Sequence, residues 1–185
     1  MDGINGITGG YSLIILGALA YINAEMVTFV EPALIYTVLC SVVVFCFFNF
    51  RRKAKCFAGD VGSVSIAFIL LFLIGKLILK TEDFSWIILL AVYGVDSVLT
   101  IIHRLMLHEN IGLPHRKHMY QLMANELKIP HVVVSLAYMV VQAIVIIGYI
   151  YCQNWGYLYL LCAILLLSFI YIWFMRKYFS LHLSV

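Results

Sequence analysis

The sequence predicts an all-α, polytopic integral membrane protein of about six transmembrane helices. Three observations carry that expectation. First, 64% of the 185 residues are hydrophobic and only 11% are charged, whereas soluble domains carry roughly 45–50% apolar and about 25% charged residues. Second, the mean hydropathy is +1.03, and the apolar residues fall into six runs close to the roughly 20 needed to cross a hydrocarbon core of about 30 Å. Third, ten of the twelve Lys and Arg fall on alternate connections between those runs and on the tail. This composition excludes a water-soluble domain. The lipid bilayer is the expected surrounding, and no nucleic-acid partner is expected.

The six runs cover residues 7–23, 32–48, 61–79, 84–105, 131–151 and 157–175. Each is expected to be helical, because lipid offers backbone N–H and C=O groups no other partner. The first two are short for a span. Arg51, Arg52, Lys53 and Lys55 occupy the second connection. Arg104, Arg116, Lys117 and Lys128 occupy the fourth, and Arg176 and Lys177 the tail, ten of the twelve cations in all. The opposite connections hold Glu25, Glu31, Lys80, Glu82 and Asp83. The positive-inside bias therefore puts both termini and the second and fourth connections in the cytoplasm. Residues 1–185 read as a single membrane domain, with no short repeat or low-complexity linker. No basic stretch precedes the first run, so a cleaved signal peptide is not expected. The five cysteines form no C-x-x-C pair and suggest neither a disulfide framework nor a zinc site.

Four polar constellations interrupt this pattern. Asp2-Gly3-Ile4-Asn5-Gly6 opens the chain with a carboxylate, an amide and glycines that permit close backbone approach to a ligand. Asp2 could ligate a metal and Asn5 could bond a sugar or base, or the stretch could simply start a helix. Gly59-Asp60-Val61-Gly62-Ser63 begins the third run. Asp60 is either a helix N-cap or a hard oxygen ligand for Mg²⁺, which takes one or two carboxylates plus phosphates; both roles can coexist. Lys55 and Phe57 stand just before it, as a phosphate or ribose contact and a flat apolar face. Arg51, Arg52 and Lys53 read as positive-inside residues or anionic-lipid contacts.

Asp96, Thr100 and Arg104 share one face of the fourth run, where a structural Asp96–Arg104 contact competes with a functional role. Pro114-His115-Arg116-Lys117-His118-Met119-Tyr120-Gln121 is the densest polar group. A helical turn would put His115 and His118 on one side, Arg116 can hold a phosphate bidentately, and imidazoles can donate to phosphate or carry protons. Otherwise the group is a solvated basic loop. Residues 119–127 have the spacing of an amphipathic helix lying on the membrane. Trp86, Trp155 and Trp173 read as interfacial residues, as do His108, His131 and His182.

Asp2-Gly3-Ile4-Asn5-Gly6, Phe57-Ala58-Gly59-Asp60-Val61-Gly62-Ser63 and the 114–121 stretch, in this order, resemble the polyprenyl-phosphate N-acetylhexosamine-1-phosphate transferases. These include phospho-N-acetylmuramoyl-pentapeptide transferase and the bacterial GlcNAc-1-phosphate transferases, and the 114–121 stretch looks more like the latter branch. The resemblance implies transfer of N-acetylhexosamine 1-phosphate from a UDP-sugar, UDP-GlcNAc foremost, to undecaprenyl phosphate, with release of UMP. It implies Mg²⁺ (or Mn²⁺) held by Asp60, with Asp2 as second ligand or near neighbour. Phe57 would stack on uracil, Asn5 would shape the nucleotide site, Lys55 would contact phosphate or ribose, and His115, Arg116 and His118 would hold phosphates. Asp2, Asp60 and His115 are the candidate catalytic residues. It further implies the bacterial cytoplasmic membrane, a role in cell-envelope glycan synthesis and a homodimer. Asn49 receives no role. Because the chain opens inside the family's middle motif, it is expected to be the C-terminal part of a longer enzyme and inactive alone. The competing readings are a small transporter or channel with Asp96 and Arg104 along a polar path, and a non-catalytic membrane partner.

Overall fold

The computed structural model describes residues 3–110, 112 and 116–178. Among the described residues, six helices are long and apolar enough to cross a membrane. In chain order they are α1 (Ile7–Glu25), α2 (Pro32–Asn49), α3 (Gly59–Thr81), a fourth span made of a 3₁₀ segment (Phe84–Leu90) continued by α4 (Ala91–Met106), α6 (His131–Tyr151) and α7 (Gly156–Lys177). Between α4 and α6, a single turn, α5 (Met119–Gln121), runs into a π turn (Leu122–Glu126). Among the described residues there is no strand. The spans alternate in direction, so the start of the chain, the 50–58 connection and the 107–118 connection share one end of the bundle, called here the motif end.

α1 is the least hydropathic of the six spans and the most buried. Both properties follow from facing protein rather than lipid. A Cβ at Gly9 would come within 2.5 Å of Cys46 Sγ in α2, and one at Gly10 within 2.5 Å of Met139 Sδ in α6. Small residues let the two neighbours close on the α1 backbone, which is how helices gain packing in lipid. Below them Ile15, Leu16, Leu19 and Ile22 are fully buried and form the centre of a core shared with α3, the fourth span and α6. At the far end Asn23 Oδ1 accepts from Phe29 and Val30 N–H at 2.9 and 3.1 Å, closing the turn into α2.

The fourth span departs from the continuous helix expected over 84–105. Asp83 accepts from the Ser85 amide at 2.9 Å and hydroxyl at 2.6 Å, which winds the first residues tightly. The switch from 3₁₀ to α geometry leaves backbone groups without helical partners, a cost of several kcal/mol each in lipid. Neighbouring spans answer them. Val92 N–H donates to Gln142 Oε1 at 3.1 Å, Tyr93 N–H to Tyr11 Oη at 3.2 Å, and Gln142 Nε2 to Ile88 O at 3.0 Å. Tyr11 in turn donates to Gln142 at 2.6 Å.

Two further expectations are corrected. Trp86 is not interfacial: it is fully buried, edge-on to Tyr149 at 5.0 Å between centroids. Trp155 and Trp173 are exposed on the bundle surface. Residues 119–127 do not lie along the membrane surface. Tyr120, Gln121, Leu122 and Ala124 are buried, because their apolar faces find Tyr93 and Tyr138 on one side and Tyr171 and Met175 of α7 on the other.

A candidate nucleotide and phosphate site at the motif end

The first motif is held between the other two by short-range polar chemistry. Gly6 has φ +88°, a left-handed conformation that suits glycine, and a Cβ there would strike the Phe50 ring at 2.3 Å. This close fit lets Gly6 N–H donate to Asn49 Oδ1 at 2.8 Å, while Asn49 Nδ2 donates to Cys56 O at 2.8 Å. Asn5 Nδ2 reaches Arg51 O at 3.1 Å and Arg52 O at 3.3 Å. Asn5 is also tied to α6: its N–H donates to His131 Nδ1 at 3.3 Å and its carbonyl accepts from Ser135 Oγ at 2.9 Å. Thus His131, read from sequence as interfacial, seats the chain's first turn. Gly3, with φ +139°, lies so close to Gln121 that a Cβ would meet Nε2 at 2.6 Å. The first motif therefore touches the connection that leads into the second motif through Asn5 and Asn49, and the third motif through Gly3.

The third motif is plugged into the bundle. Tyr120 is buried between Tyr93, 5.7 Å away, and Tyr138, 5.8 Å away, and His118 stacks on it at 5.4 Å with the rings 12° from parallel. The Met119 amide donates to Asp96 Oδ1 at 3.0 Å, and His118 Nδ1 lies 3.7 Å from the same oxygen. The expected Asp96–Arg104 contact is replaced by two separate clamps. Asp96 also accepts from Thr100 Oγ1 at 3.2 Å and Tyr138 Oη at 2.9 Å. Arg104, two turns along the same face, pairs instead with Glu109 at 3.1 Å and donates to Asn110 O at 2.6 Å. Glu109 simultaneously binds Lys117 at 2.6 Å, and these bonds, that from Lys117 foremost, hold its carboxyl below the usual carboxylate range. Asp96 and Arg104 are both buried and engaged by protein groups rather than lining a polar path. Nothing in the motif's composition marks Glu109 or Lys117 as partners. A sequence signal existed only for Asn49, an amide closing an apolar run.

The residues expected to meet ligand stand apart from this scaffold. Lys55, Phe57, Asp60 and Arg116 are all exposed, and among the described residues their side-chain polar atoms carry no hydrogen bond or ion pair. The helix begins at Gly59, with Ala58 in the capping position, so Asp60 lies in the first turn and is not the N-cap. Its carboxylate is left to the solvent and to the positive helix end. That is the donor a hard divalent ion requires when phosphates supply the remaining oxygens, so Asp60 fits such an ion. Among the described residues no three His, Cys, Asp or Glu side chains gather as a complete metal cage. Asp2 and His115 lie outside the described residues, as does His182. Phe57 edges a cavity of about 290 Å³ lined by Thr8 and Ser12 of α1, Ser41 and Phe45 of α2, and Gly62 of α3. Ser12 Oγ is buried there without a hydrogen-bond partner among the described residues.

Comparison with known proteins agrees with the motifs. The sequence profile of Glycosyl transferase family 4 matches residues 1–78, which hold the first two motifs. A probable undecaprenyl-phosphate N-acetylglucosaminyl 1-phosphate transferase of Bacillus subtilis (strain 168) is 31% identical over 125 residues, covering 65% of this chain and 34% of that protein. The chain thus spans about a third of the length of this curated relative. No solved structure matches. Through its first 78 residues the chain is similar to glycosyl transferase family 4, and over 125 residues it is similar to the Bacillus subtilis transferase.

Proposed function

We propose that the motif end binds a UDP-N-acetylhexosamine, UDP-GlcNAc foremost, for transfer of its sugar 1-phosphate to a polyprenyl phosphate at the cytoplasmic face of a bacterial membrane. The observation that carries this reading is the junction, at one end of the bundle, of the first motif with the third and with the connection that leads into the second, made by Gly3, Asn5 and Asn49, with the ligand-type side chains left exposed beside it. Mutually bonded polar groups build the scaffold, and exposed side chains of complementary chemistry surround it.

In the proposed reaction an oxygen of the lipid phosphate attacks the sugar-bearing phosphorus, the bond to the UMP oxygen breaks, and UMP leaves. Mg²⁺ or Mn²⁺, when bound, would neutralise charge building on the phosphate oxygens. Asp60 would hold it. Phe57 gives the base a stacking face, and the buried Ser12 hydroxyl beside it is ready to donate to a polar ligand edge. Arg116 offers a fork matched to phosphate oxygens, and Lys55 adds a point charge. Catalysis of this kind rests on positioning and fixed electrostatics, which the buried clamps on the 107–118 connection supply.

The test is titration of UDP-GlcNAc into the full chain in nanodiscs, with and without Mg²⁺. Binding is expected to need the metal. Phe57→Ala should weaken it about 5- to 150-fold, since base–aromatic stacking is worth about 1–3 kcal/mol. Asp60→Ala should abolish the metal dependence. Affinity that ignores both chelator and Asp60→Ala overturns the reading.

A further inference from the structure

We propose that Asp96 is a positioning residue of the candidate site: its carboxylate, sunk in the fourth span, holds the Met119 backbone N–H and so sets where Arg116 and His118 stand. The inference rests on the nucleotide and phosphate reading for the purpose of that positioning, but the anchoring itself is independent of it.

A carboxylate within a span is costly and is kept where it has partners and a task. Asp96 is 2% exposed. Oδ1 accepts from Thr100 Oγ1 and from Met119 N, and Oδ2 accepts from Tyr138 Oη. Two of the three donors belong to the spans. The third belongs to the connection that carries the site. Met119 is the first residue of α5, and the opening N–H groups of a helix have no partner within it. A side chain from another helix therefore caps this one.

Two turns along the same face of α4, Arg104 holds the other end of the connection through Glu109 and Asn110 O. The 107–118 connection is thereby fixed at both ends to one helix. Besides Asp96, its far end is held by the ion pair of Lys117 with Glu109 and by the packing of Tyr120 between Tyr93 and Tyr138. Packing of that kind fixes depth but not the rotation of the turn that aims His118 and the exposed Arg116. Thr100 extends the network to Tyr171 of α7 at 2.9 Å, so a purely structural role for Asp96 makes a different forecast: every bond in the network would matter alike.

The experiment measures amide hydrogen exchange at residues 118–120 and UDP-GlcNAc affinity with Mg²⁺, in nanodiscs, for the native chain, Asp96→Ala, Asp96→Asn and Tyr138→Phe. Asp96→Ala should speed exchange at Met119 at least tenfold and weaken affinity at least tenfold. Asp96→Asn, which keeps an acceptor oxygen for Met119, should recover most of both. Tyr138→Phe removes another bond to the same carboxylate and should leave affinity within about twofold. Unchanged exchange in Asp96→Ala, or a loss in Tyr138→Phe equal to that in Asp96→Ala, overturns the proposal. If alanine prevents folding, Asp96→Asn and Tyr138→Phe still separate the two outcomes. A native chain that binds no nucleotide overturns the transferase reading, and the exchange measurements alone then uphold or refute the anchoring.

Discussion

Asn49 closes α2 with a side chain that both accepts from Gly6 and donates to Cys56 at 2.8 Å, in a site only 3% exposed. Removing a buried partner strands the groups it satisfied, at about 1–3 kcal/mol. Asn49→Ala should therefore lower stability in detergent by about that amount, read from denaturant unfolding, while Asn49→Asp, which keeps the acceptor for Gly6, should lose less. Equal losses would mean that the Gly6 bond contributes nothing. Glu109 supplies a pH-dependent test. Its folded-state carboxyl is held below its ordinary 4.5 by Lys117 and Arg104, so the folded state binds fewer protons than the unfolded one. The resulting stability is present above 4.5 and fades as pH falls through the depressed value. Asp83 behaves alike: burial raises its carboxyl, but bonds from Ser85 and Tyr149 outweigh that and hold it below its ordinary 3.8. Melting temperatures measured from pH 6 downward should fall less steeply in Glu109→Gln and in Asp83→Asn than in the native chain. A slope unchanged in both variants contradicts this assignment. The sequence displayed each of these residues but not their pairings, because Asn49 with Gly6 and Asp83 with Tyr149 are joined across the fold rather than along the chain.

At the scale of elements, hydropathy made all six spans legible, since lipid demands both length and apolar composition. It could not show what a span faces. α1 reads as the weakest span because its Gly9 and Gly10 serve contacts with α2 and α6 rather than lipid, and its Thr8 and Ser12 are buried along a cavity shared with α2 and α3. The same blindness hid the 3₁₀ start of the fourth span, whose backbone is completed by Tyr11 and Gln142 from two other helices. Gln142→Leu keeps the bulk and removes the partners of Val92 N–H and Ile88 O. It should cost at least about 2 kcal/mol by the penalty for buried unpaired groups and should speed amide exchange at Val92. Protection as strong as in the native chain would show that the 3₁₀ segment does not depend on α6. For residues 119–127 the apolar spacing was read correctly but given the wrong partner. Tyr120 and Leu122 meet α4, α6 and α7, not the bilayer.

Across the whole molecule, the order of the motifs in the sequence already implied a shared site, and the alternation of spans put the motifs at one end. The contacts that turn shared location into a site were not legible. Asn5 on Arg51 and Arg52, Gly3 against Gln121, and Asp96 on Met119 each join residues far apart in the chain. The result is a division of labour. Asn5, Asn49, Asp96, Arg104 and Glu109 are engaged in holding the backbone, and Lys55, Phe57, Asp60 and Arg116 are left exposed. The most direct measurement places single cysteines at positions 55, 57 and 116 of a chain whose five native cysteines are replaced by alanine. Each is then labelled in inside-out membrane vesicles with and without UDP-GlcNAc and Mg²⁺. The account predicts that all three react from the cytoplasmic side and that nucleotide with metal shields all three over the same concentration range. Labelling from the opposite side, or shielding of one position while the other two react freely, would contradict it.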